Sequence, residues 1–537
     1  MNQLIHPLEV IERFASHDFS VFDFFTQRVK SLGSAPMVEF ENRVLTWNEA
    51  ALLVEKASAW LFDQGVKHGD RMGLMSYNHP STVILFIACS RLGIIVVPCN
   101  PDFAASEARY IFEHAQVCAV ICSSEIKDKV AEATQHMPLK PWIASNDPNV
   151  QANQEGIESL WQNYKPTSHP NLGHADSTCL IIYTSGTTGF PKGVMHSQRS
   201  YLLTAEAFVQ RMFLQANDRL MCVLPLFHIN ALMYSMGGAM ACGGALILIK
   251  KFSASQFWDL AAKTRASEVN IIMSAAAILA RRPPTEFNPE HRVKKMFLAP
   301  LNQDLKDTFQ NRFGVETLIE CYGMTEIPGV LSNPFLGPHK IGSMGMISAH
   351  PNPQIERPQV IILSDDGREA ALDEVGEIAV KTPTMMQGYY KDAEQTEKSF
   401  SNGWFLTGDL GFKDKDDFYF FFTRKKDIIR RKGENLSGAE IDNAISSHPD
   451  VSECASIGVP SDLGDEEVLI AVVPRTGSNP TPQDIMAHAK AHLSALKLPR
   501  YVVIVDSLPH TGSMKIAKFK LKPATELLQR ATDFSTP

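Results

Sequence analysis

The sequence has few of the features that mark membrane, secreted or nucleic-acid-binding proteins. Its most apolar stretch, residues 83–97, is interrupted by Arg91 and is too short to span a bilayer. The first twenty residues mix charged and apolar side chains, so no secretory signal is visible and we expect a cytoplasmic protein. The net charge of −8 disfavours nucleic acid as a partner, because sequence-independent binding depends on neutralising phosphates.

Cysteine is scarce and scattered. The nine cysteines form no CxxC pair, which disfavours a zinc site and favours free thiols in a reducing compartment. The composition, 44% hydrophobic and 20% charged, is typical of globular proteins and not of disordered ones. Because 537 residues are too many for one core, we expect two to four domains.

Strand and helix patterns alternate through the first 180 residues and again after residue 200, which indicates parallel βαβ units. Two capping boxes, at Thr46 with Glu49 and at Ser437 with Glu440, predict helix starts. We therefore expect an α/β fold with a large N-terminal domain, residues 1–425, of doubly wound βαβ subdomains and a small β unit at about 341–425. A small α+β domain, residues 426–537, follows.

One segment, residues 183–193, concentrates hydroxyl side chains, glycines and a lysine after the apolar run 179–182. A strand followed by such a loop can cradle a nucleotide phosphate with backbone N–H groups, hydroxyls and a mobile positive charge. It is not a Walker A loop, because no Ser or Thr follows the lysine. The predicted phosphate-binding residues are Thr184, Ser185, Gly186, Thr187, Thr188, Gly189 and Lys192. A flexible loop without a ligand is the alternative.

Four further motifs follow, and each alone has an ordinary structural interpretation. Residues 322–326 (Tyr-Gly-Met-Thr-Glu) could be a core tyrosine beside a turn, and residues 403–409, which end in Gly-Asp, could be an Asx-turn. Residues 424–427 with 433–435 could be a solvated basic face, and Lys515 an exposed lysine near the C-terminus.

In this order the five motifs resemble those of the adenylate-forming superfamily, which comprises acyl-CoA synthetases, peptide-synthetase adenylation domains and firefly-type luciferases. The resemblance covers nearly the whole chain, and residues 252–258, 312–315 and 432–437 are most similar to the crotonobetaine/carnitine–CoA ligase branch. It implies that a carboxylate attacks the α-phosphate of ATP to give an acyl-adenylate and pyrophosphate. The thiol of CoA then displaces AMP to give a thioester, and Mg²⁺ assists.

The resemblance also implies roles for individual residues. Those at the nucleotide and the reacting groups are Ala299, Tyr322 and Gly323 (adenine side), Thr325 (α-phosphate), Glu326 (Mg²⁺), Asp409 and Arg424 (ribose), and Lys515 (substrate carboxylate and α-phosphate). His228 matches an aromatic position at the entrance of the acyl pocket, and a hydrogen-bonded core histidine is the alternative.

Lys515 and the CoA thiol cannot easily share one narrow site, so the resemblance implies a rotation of the C-terminal domain about a hinge at Lys426. The rotation would replace Lys515 by the region of Gly433, the CoA-side residue. The side chains of residues 430–432 could meet CoA phosphates or form a solvated face. Met514 stands where the family usually has glycine.

Several functional alternatives stay open at this point. A stand-alone adenylation enzyme could load a carrier-protein thiol, a luciferase-like oxidase would consume O₂, and an inactive relative would only bind ligands. The acid could be carnitine-like, short, medium-chain or aryl, and a trimethylammonium acid would need an aromatic cage or a carboxylate, for which Phe227, Tyr234 and Glu320 are available. Monomer and homodimer are both compatible with the sequence.

Overall fold

Most of the chain folds into alternating strands and helices, as the sequence pattern predicts. The computed structural model describes residues 4–146, 159, 161, 164–166, 169–184, 191–431, 434–461, 466–510, 516–522 and 524–534. The chain divides into two compact units, one of residues 1–360 and 380–403 and one of residues 361–379 and 404–537. The domain border at residues 425/426 and the hinge at Lys426 stay predictions.

A seven-stranded sheet forms one half of the first unit. Six of its strands are parallel, and an antiparallel strand closes one edge. In spatial order its strands are Thr317–Ile319, Lys295–Ala299, Glu268–Ile272, Arg219–Cys222, Ala245–Leu248, Pro36–Phe40 and Arg43–Thr46. We call this the first sheet.

A second seven-stranded sheet has five parallel strands and two antiparallel strands at one edge. In spatial order its strands are Gly388–Tyr389, Lys192–Ser197, Thr178–Thr184, Ile95–Pro98, Arg71–Met75, Val117–Cys122 and Trp142–Ser145. A smaller three-stranded sheet consists of Cys321–Met324, Ile327–Ser332 and Met346–Ile347.

The helices of the first unit connect these strands. They are Pro7–Glu12, Val21–Leu32, Trp47–Asp63, Pro80–Leu92, Ala105–Ala115, Lys127–Thr134, Gln198–Met212, Gly237–Cys242, Phe257–Lys263, Met273–Arg281, Gln303–Asp307 and Ala393–Lys398, with π-helical segments at Asn230–Met236 and Thr308–Arg312. No helix in the described part of the chain combines the length and the apolar character needed to cross a bilayer.

The second unit combines part of the region predicted as a small β unit with the region predicted as the α+β domain. Its strands are Gln359–Leu363, Gly376–Lys381, Trp404–Lys413, Tyr419–Arg424, Ile428–Arg431, Glu434–Ser437, Val451–Pro460, Glu466–Pro474, Tyr501–Ile504 and Thr532–Asp533. Its helices are Gly438–Ser446, Pro482–His492 and Thr525–Arg530.

The first predicted capping box is confirmed and the second is half correct. Thr46 Oγ1 accepts from the Glu49 N–H, and the Glu49 carboxylate accepts from the Thr46 N–H at 2.8 Å. Ser437 Oγ accepts from the Glu440 N–H at 3.1 Å, but the Glu440 carboxylate binds Lys497 instead of returning to Ser437. A tertiary ion pair therefore replaces the second local bond.

Two buried carboxyl groups in the first unit have opposite electrostatic surroundings. Burial by itself would raise the pKa of Glu206, but hydrogen bonds from His17 (3.0 Å) and His350 (3.2 Å) lower it to about 2. Glu268 has no hydrogen-bond partner among the described residues, and burial raises its pKa to about 8. Glu268 is therefore protonated in the folded protein near neutral pH.

We expect Glu268→Gln to raise the free energy of unfolding at pH 8 by about 1–3 kcal/mol. The favourable contribution of neutral Glu268 is complete below its ordinary pKa of 4.5 and is lost as pH rises towards 8, and glutamine removes this loss. Urea unfolding at pH 5 and pH 8 measures the difference.

The matched substitution Glu206→Gln is expected to change the free energy of unfolding in the opposite direction. Because the pKa of Glu206 is lowered, its contribution is present above pH 4.5 and is lost as pH falls towards 2. Glu206→Gln should therefore destabilise the protein at pH 7. Equal effects of the two substitutions at every pH would contradict these electrostatic assignments.

Candidate active site

The Tyr-Gly-Met-Thr-Glu motif forms a β-hairpin whose tip is Thr325 and Glu326. Its strands Cys321–Met324 and Ile327–Ser332 pass so close together that a Cβ added to Gly323 would lie 2.4 Å from the Gly329 nitrogen. A side chain at position 323 would force the strands apart. The motif therefore presents a hydroxyl and a carboxylate at a tightly closed turn.

A buried histidine that sequence reasoning missed supports this tip. His196 Nε2 donates to the carbonyl oxygen of Thr325 at 2.7 Å, and its Nδ1 lies 3.0 Å from Ser200 Oγ. Burial lowers the pKa of His196 to about 4, so the imidazole is neutral and its Nε2 carries the proton. The only feature of the sequence that could have indicated this role is the presence of a histidine in the strand that follows the phosphate loop.

Tyr389, a second residue missed from the sequence, connects the hairpin with the phosphate loop. Its hydroxyl donates to Glu326 Oε1 at 2.8 Å. The Lys192 ammonium lies 5.3 Å from the centroid of its ring. The structure thus brings the predicted phosphate-binding lysine and the predicted Mg²⁺ ligand to opposite parts of one buried aromatic side chain, although 133 intervening positions separate them in sequence.

The base of the phosphate loop is a pair of antiparallel strands, in which Thr184 lies opposite Lys192. A Cβ added to Gly193 would lie 2.7 Å from Ile181 Cγ2, so glycine permits the close packing of the two strands. The predicted loop residues Ser185, Gly186, Thr187, Thr188 and Gly189 lie outside the described residues.

Other predicted residues follow neighbouring parallel strands of the first sheet. Ala299 ends the strand Lys295–Ala299, and Tyr322 comes shortly after Thr317–Ile319. His228 comes after Arg219–Cys222, beside Phe227 with ring centroids 4.3 Å apart. Because these strands are parallel, their carboxyl ends lie at one edge, where open α/β sheets bind ligands.

In the second unit, the two predicted ribose-binding residues are brought together. Asp409 and Arg424 are opposite each other on strands Trp404–Lys413 and Tyr419–Arg424, with Arg424 Nε 3.2 Å from Asp409 Oδ1. Asp409 is buried and Arg424 is exposed. Asp409 thus lies within the strand Trp404–Lys413 and not in the Asx-turn that was the alternative interpretation.

Arg431 has a different place from either sequence interpretation. It binds Glu467 at 2.7 Å and donates to the carbonyl oxygens of Leu496 and Leu498, so it is neither a solvated side chain nor free for CoA. Gly433, Met514 and Lys515 lie outside the described residues, and their roles stay predictions.

Two family models match most of the chain. The family model described as AMP-binding enzyme matches residues 25–390, and that of the AMP-binding enzyme C-terminal domain matches residues 440–515. The oxalate–CoA ligase of Arabidopsis thaliana is 31% identical over 478 residues, which are 87% of this chain and 90% of that protein. The crotonobetaine/carnitine–CoA ligase of Escherichia coli is 28% identical over 87% of this chain and 91% of its own.

Among solved structures, the ATP-bound MatB from Rhodopseudomonas palustris superposes with a TM-score of 0.85. The superposition covers 95% of this chain and 99% of that protein at 24% sequence identity. At this identity the similarity shows a shared fold, which is the predicted α/β architecture.

We expect His196→Leu to lower the free energy of unfolding by about 1–3 kcal/mol, because it leaves the Thr325 carbonyl oxygen unpaired. It should also weaken the binding of AMP, since the hairpin tip loses its support. Urea unfolding and calorimetric titration with AMP measure the two effects. His196→Gln, which keeps an N–H donor, should restore part of both, and equal losses in the two variants would contradict the assigned hydrogen bond.

Proposed function

Because this chain belongs to the AMP-binding enzyme family, we propose that it is an AMP-forming carboxylic acid–CoA ligase. A carboxylate oxygen attacks the α-phosphorus of ATP, the bond to the β-phosphate breaks, and acyl-adenylate and pyrophosphate form. The CoA thiol then attacks the acyl carbon, AMP leaves, and the thiol proton is released. The observation that carries the proposal is the meeting of Lys192 and Glu326 at Tyr389.

The first step brings two anions together, so the site must supply positive charge and aligned donors. Lys192, at the base of the phosphate loop, would stabilise the charge that develops on the leaving pyrophosphate. Thr325, with its backbone held by His196, would donate to the α-phosphate. Lys515 would approach the attacking carboxylate in this step, and the rotation predicted about Lys426 would then withdraw it.

The residues at the hairpin fit Mg²⁺. Glu326 is buried, and its Oε1 accepts from Tyr389, which fixes the orientation of the carboxylate. No group of three His, Cys, Asp or Glu side chains that could hold a metal occurs among the described residues. Mg²⁺ suits such a site because it is usually held by one or two carboxylates together with substrate phosphates. When bound, Mg²⁺ would neutralise phosphate charge.

The proposal also covers the identity of the acceptor thiol and the kind of acid that is activated. The named activities of the two relatives favour CoA as the acceptor thiol and a small carboxylic acid as the substrate. A stand-alone adenylation enzyme that loads a carrier-protein thiol is the alternative. No described contact favours the alternative over CoA.

A panel of carboxylic acids, assayed with ATP and Mg²⁺ in the presence and absence of CoA, tests the function. We expect pyrophosphate release with at least one acid, stimulation of AMP formation by CoA, and a thioester detectable by mass spectrometry. Acyl-adenylate formation without stimulation by free CoA would favour the carrier-protein alternative. Failure of every acid to release pyrophosphate, from protein that still binds AMP, would contradict a ligase function.

We expect Lys515→Ala to abolish acyl-adenylate formation but to spare thioester formation from a supplied acyl-adenylate. The reason is that a positive charge is needed where two anions react and is not needed by the thiol. Lys520→Ala, at an exposed lysine of the same segment, is the matched control and should leave both half-reactions unchanged. Equal loss of both half-reactions in Lys515→Ala would disprove the assignment.

A further inference from the structure

Two side chains of one helix contact both ends of the phosphate loop. Tyr110 and His114 lie one turn apart on the helix Ala105–Ala115, which packs on the second sheet. The Tyr110 hydroxyl donates to the carbonyl oxygen of Pro191 at 3.1 Å, and His114 Nδ1 lies 2.7 Å from the Tyr183 hydroxyl. Tyr183 precedes the predicted phosphate-binding residues, and Pro191 lies near their end. We call Tyr110 and His114 the anchoring pair.

The anchoring pair is held in place by contacts of its own. The rings of Tyr110 and His114 are stacked, with centroids 5.7 Å apart and an angle of 19° between their planes. Lys391 Nζ donates to the carbonyl oxygen of His114 at 3.0 Å, and the preceding residue, Tyr390, donates its N–H to the carbonyl oxygen of Gly193 at 2.7 Å. The end of the helix is therefore connected with the strand that follows the loop.

The helix does not need the anchoring pair in order to pack on the sheet. Its apolar face supplies that packing through the buried residues Ala105, Ala108, Ile111, Phe112 and Ala115. Tyr110 and His114 are only partly buried beside this face, and their polar atoms contact the ends of the loop. The two hydrogen bonds therefore serve the loop more than the core.

The two ends that the anchoring pair contacts adjoin the described phosphate-binding residues. Thr184 follows Tyr183 and Lys192 follows Pro191, and Thr184 and Lys192 lie opposite each other in the antiparallel pair of strands. Because a rigid peptide unit joins consecutive residues, fixing one residue limits where the next can lie. A loop whose ends are fixed before the ligand arrives also loses less conformational entropy on binding.

The anchoring pair adds no charge to the phosphate site. Burial and the charge of Lys391 lower the pKa of His114, while Asp392 acts in the opposite direction. The imidazole is therefore neutral near pH 7. Either neutral tautomer can form the bond with Tyr183, because a tyrosine hydroxyl both donates and accepts. The pair thus positions the loop without a cation of its own beside Lys192.

We propose that Tyr110 and His114 are positioning residues, which hold both ends of the phosphate loop where Thr184 and Lys192 bind the β- and γ-phosphates of ATP. This inference rests on the proposed function, because that function assigns the loop to these phosphates. The anchoring pair acts through the backbone and not by contact with the nucleotide. AMP lacks the β- and γ-phosphates, so the pair should matter for the binding of ATP and not for that of AMP.

Calorimetric titration with ATP and Mg²⁺, and separately with AMP, tests the proposal in the absence of acid and CoA. We expect Tyr110→Phe, which removes one hydroxyl and keeps the ring, to weaken ATP binding about three- to tenfold and AMP binding by less than about twofold. His114→Leu should weaken ATP binding at least as much. His114→Asn keeps a polar atom at the place of Nδ1 and should restore part of the loss.

Tyr201→Phe is the matched control, because it also removes a hydroxyl that donates to a backbone carbonyl oxygen, that of Leu232 at 3.2 Å. It should leave the ratio of ATP to AMP affinity unchanged. Tyr183→Phe is a second variant that removes the bond to His114 from the side of the loop, and its effect should not add to that of His114→Leu. Equal weakening of ATP and AMP binding in Tyr110→Phe and Tyr183→Phe, or unchanged ATP binding in both, would overturn the proposal.

The same titrations separate this inference from the proposed function, because they need no turnover. ATP binding that depends on Tyr110 while AMP binding does not supports the positioning role even if no acid releases pyrophosphate, a result that would contradict only the ligase reaction. Pyrophosphate release by the wild-type protein, together with unchanged ATP binding in Tyr110→Phe and Tyr183→Phe, would contradict only this inference.

Discussion

The carboxyl ends of parallel strands must lie at one edge of a sheet, and the candidate active site depends on this constraint. Three parallel strands of the first sheet deliver the segments of His228, Ala299 and Tyr322 to that edge. The second sheet contributes Lys192 through an antiparallel pair of strands. Residues far apart in sequence can therefore form one site without any long loop crossing the protein.

Neutral, buried groups then hold the charged ones in position. His196 carries no charge and donates to the backbone of Thr325, so it fixes the hairpin tip without competing for phosphate. Tyr389 orients the Glu326 carboxylate through one hydrogen bond, and the Lys192 ammonium lies over its ring. A site for nucleotide and metal needs charged side chains that the protein itself does not neutralise. His196 and Tyr389 hold the neighbouring groups in position without adding a charge of their own.

Buried charge is treated differently elsewhere in the same unit. Arg28 and Glu206 are part of a cluster in which two histidines complete the hydrogen bonding. Arg211 has no carboxylate partner among the described residues, and its hydrogen bonds go to Ser348 and to the carbonyl oxygen of Gly329.

The local patterns of the sequence determined the fold class, the capping box at Thr46, the strand before the phosphate loop, and the order of motifs that indicates adenylate formation. Such features depend on side-chain periodicity and short spacings, which neighbouring residues settle among themselves. Only the tertiary structure decided that Tyr389 and His196 support the site, that Arg431 pairs with Glu467, and that Arg211 binds Ser348 and the backbone of Gly329. These contacts join segments distant in sequence, and their partners are chosen by packing and desolvation, for which a linear pattern carries no signal.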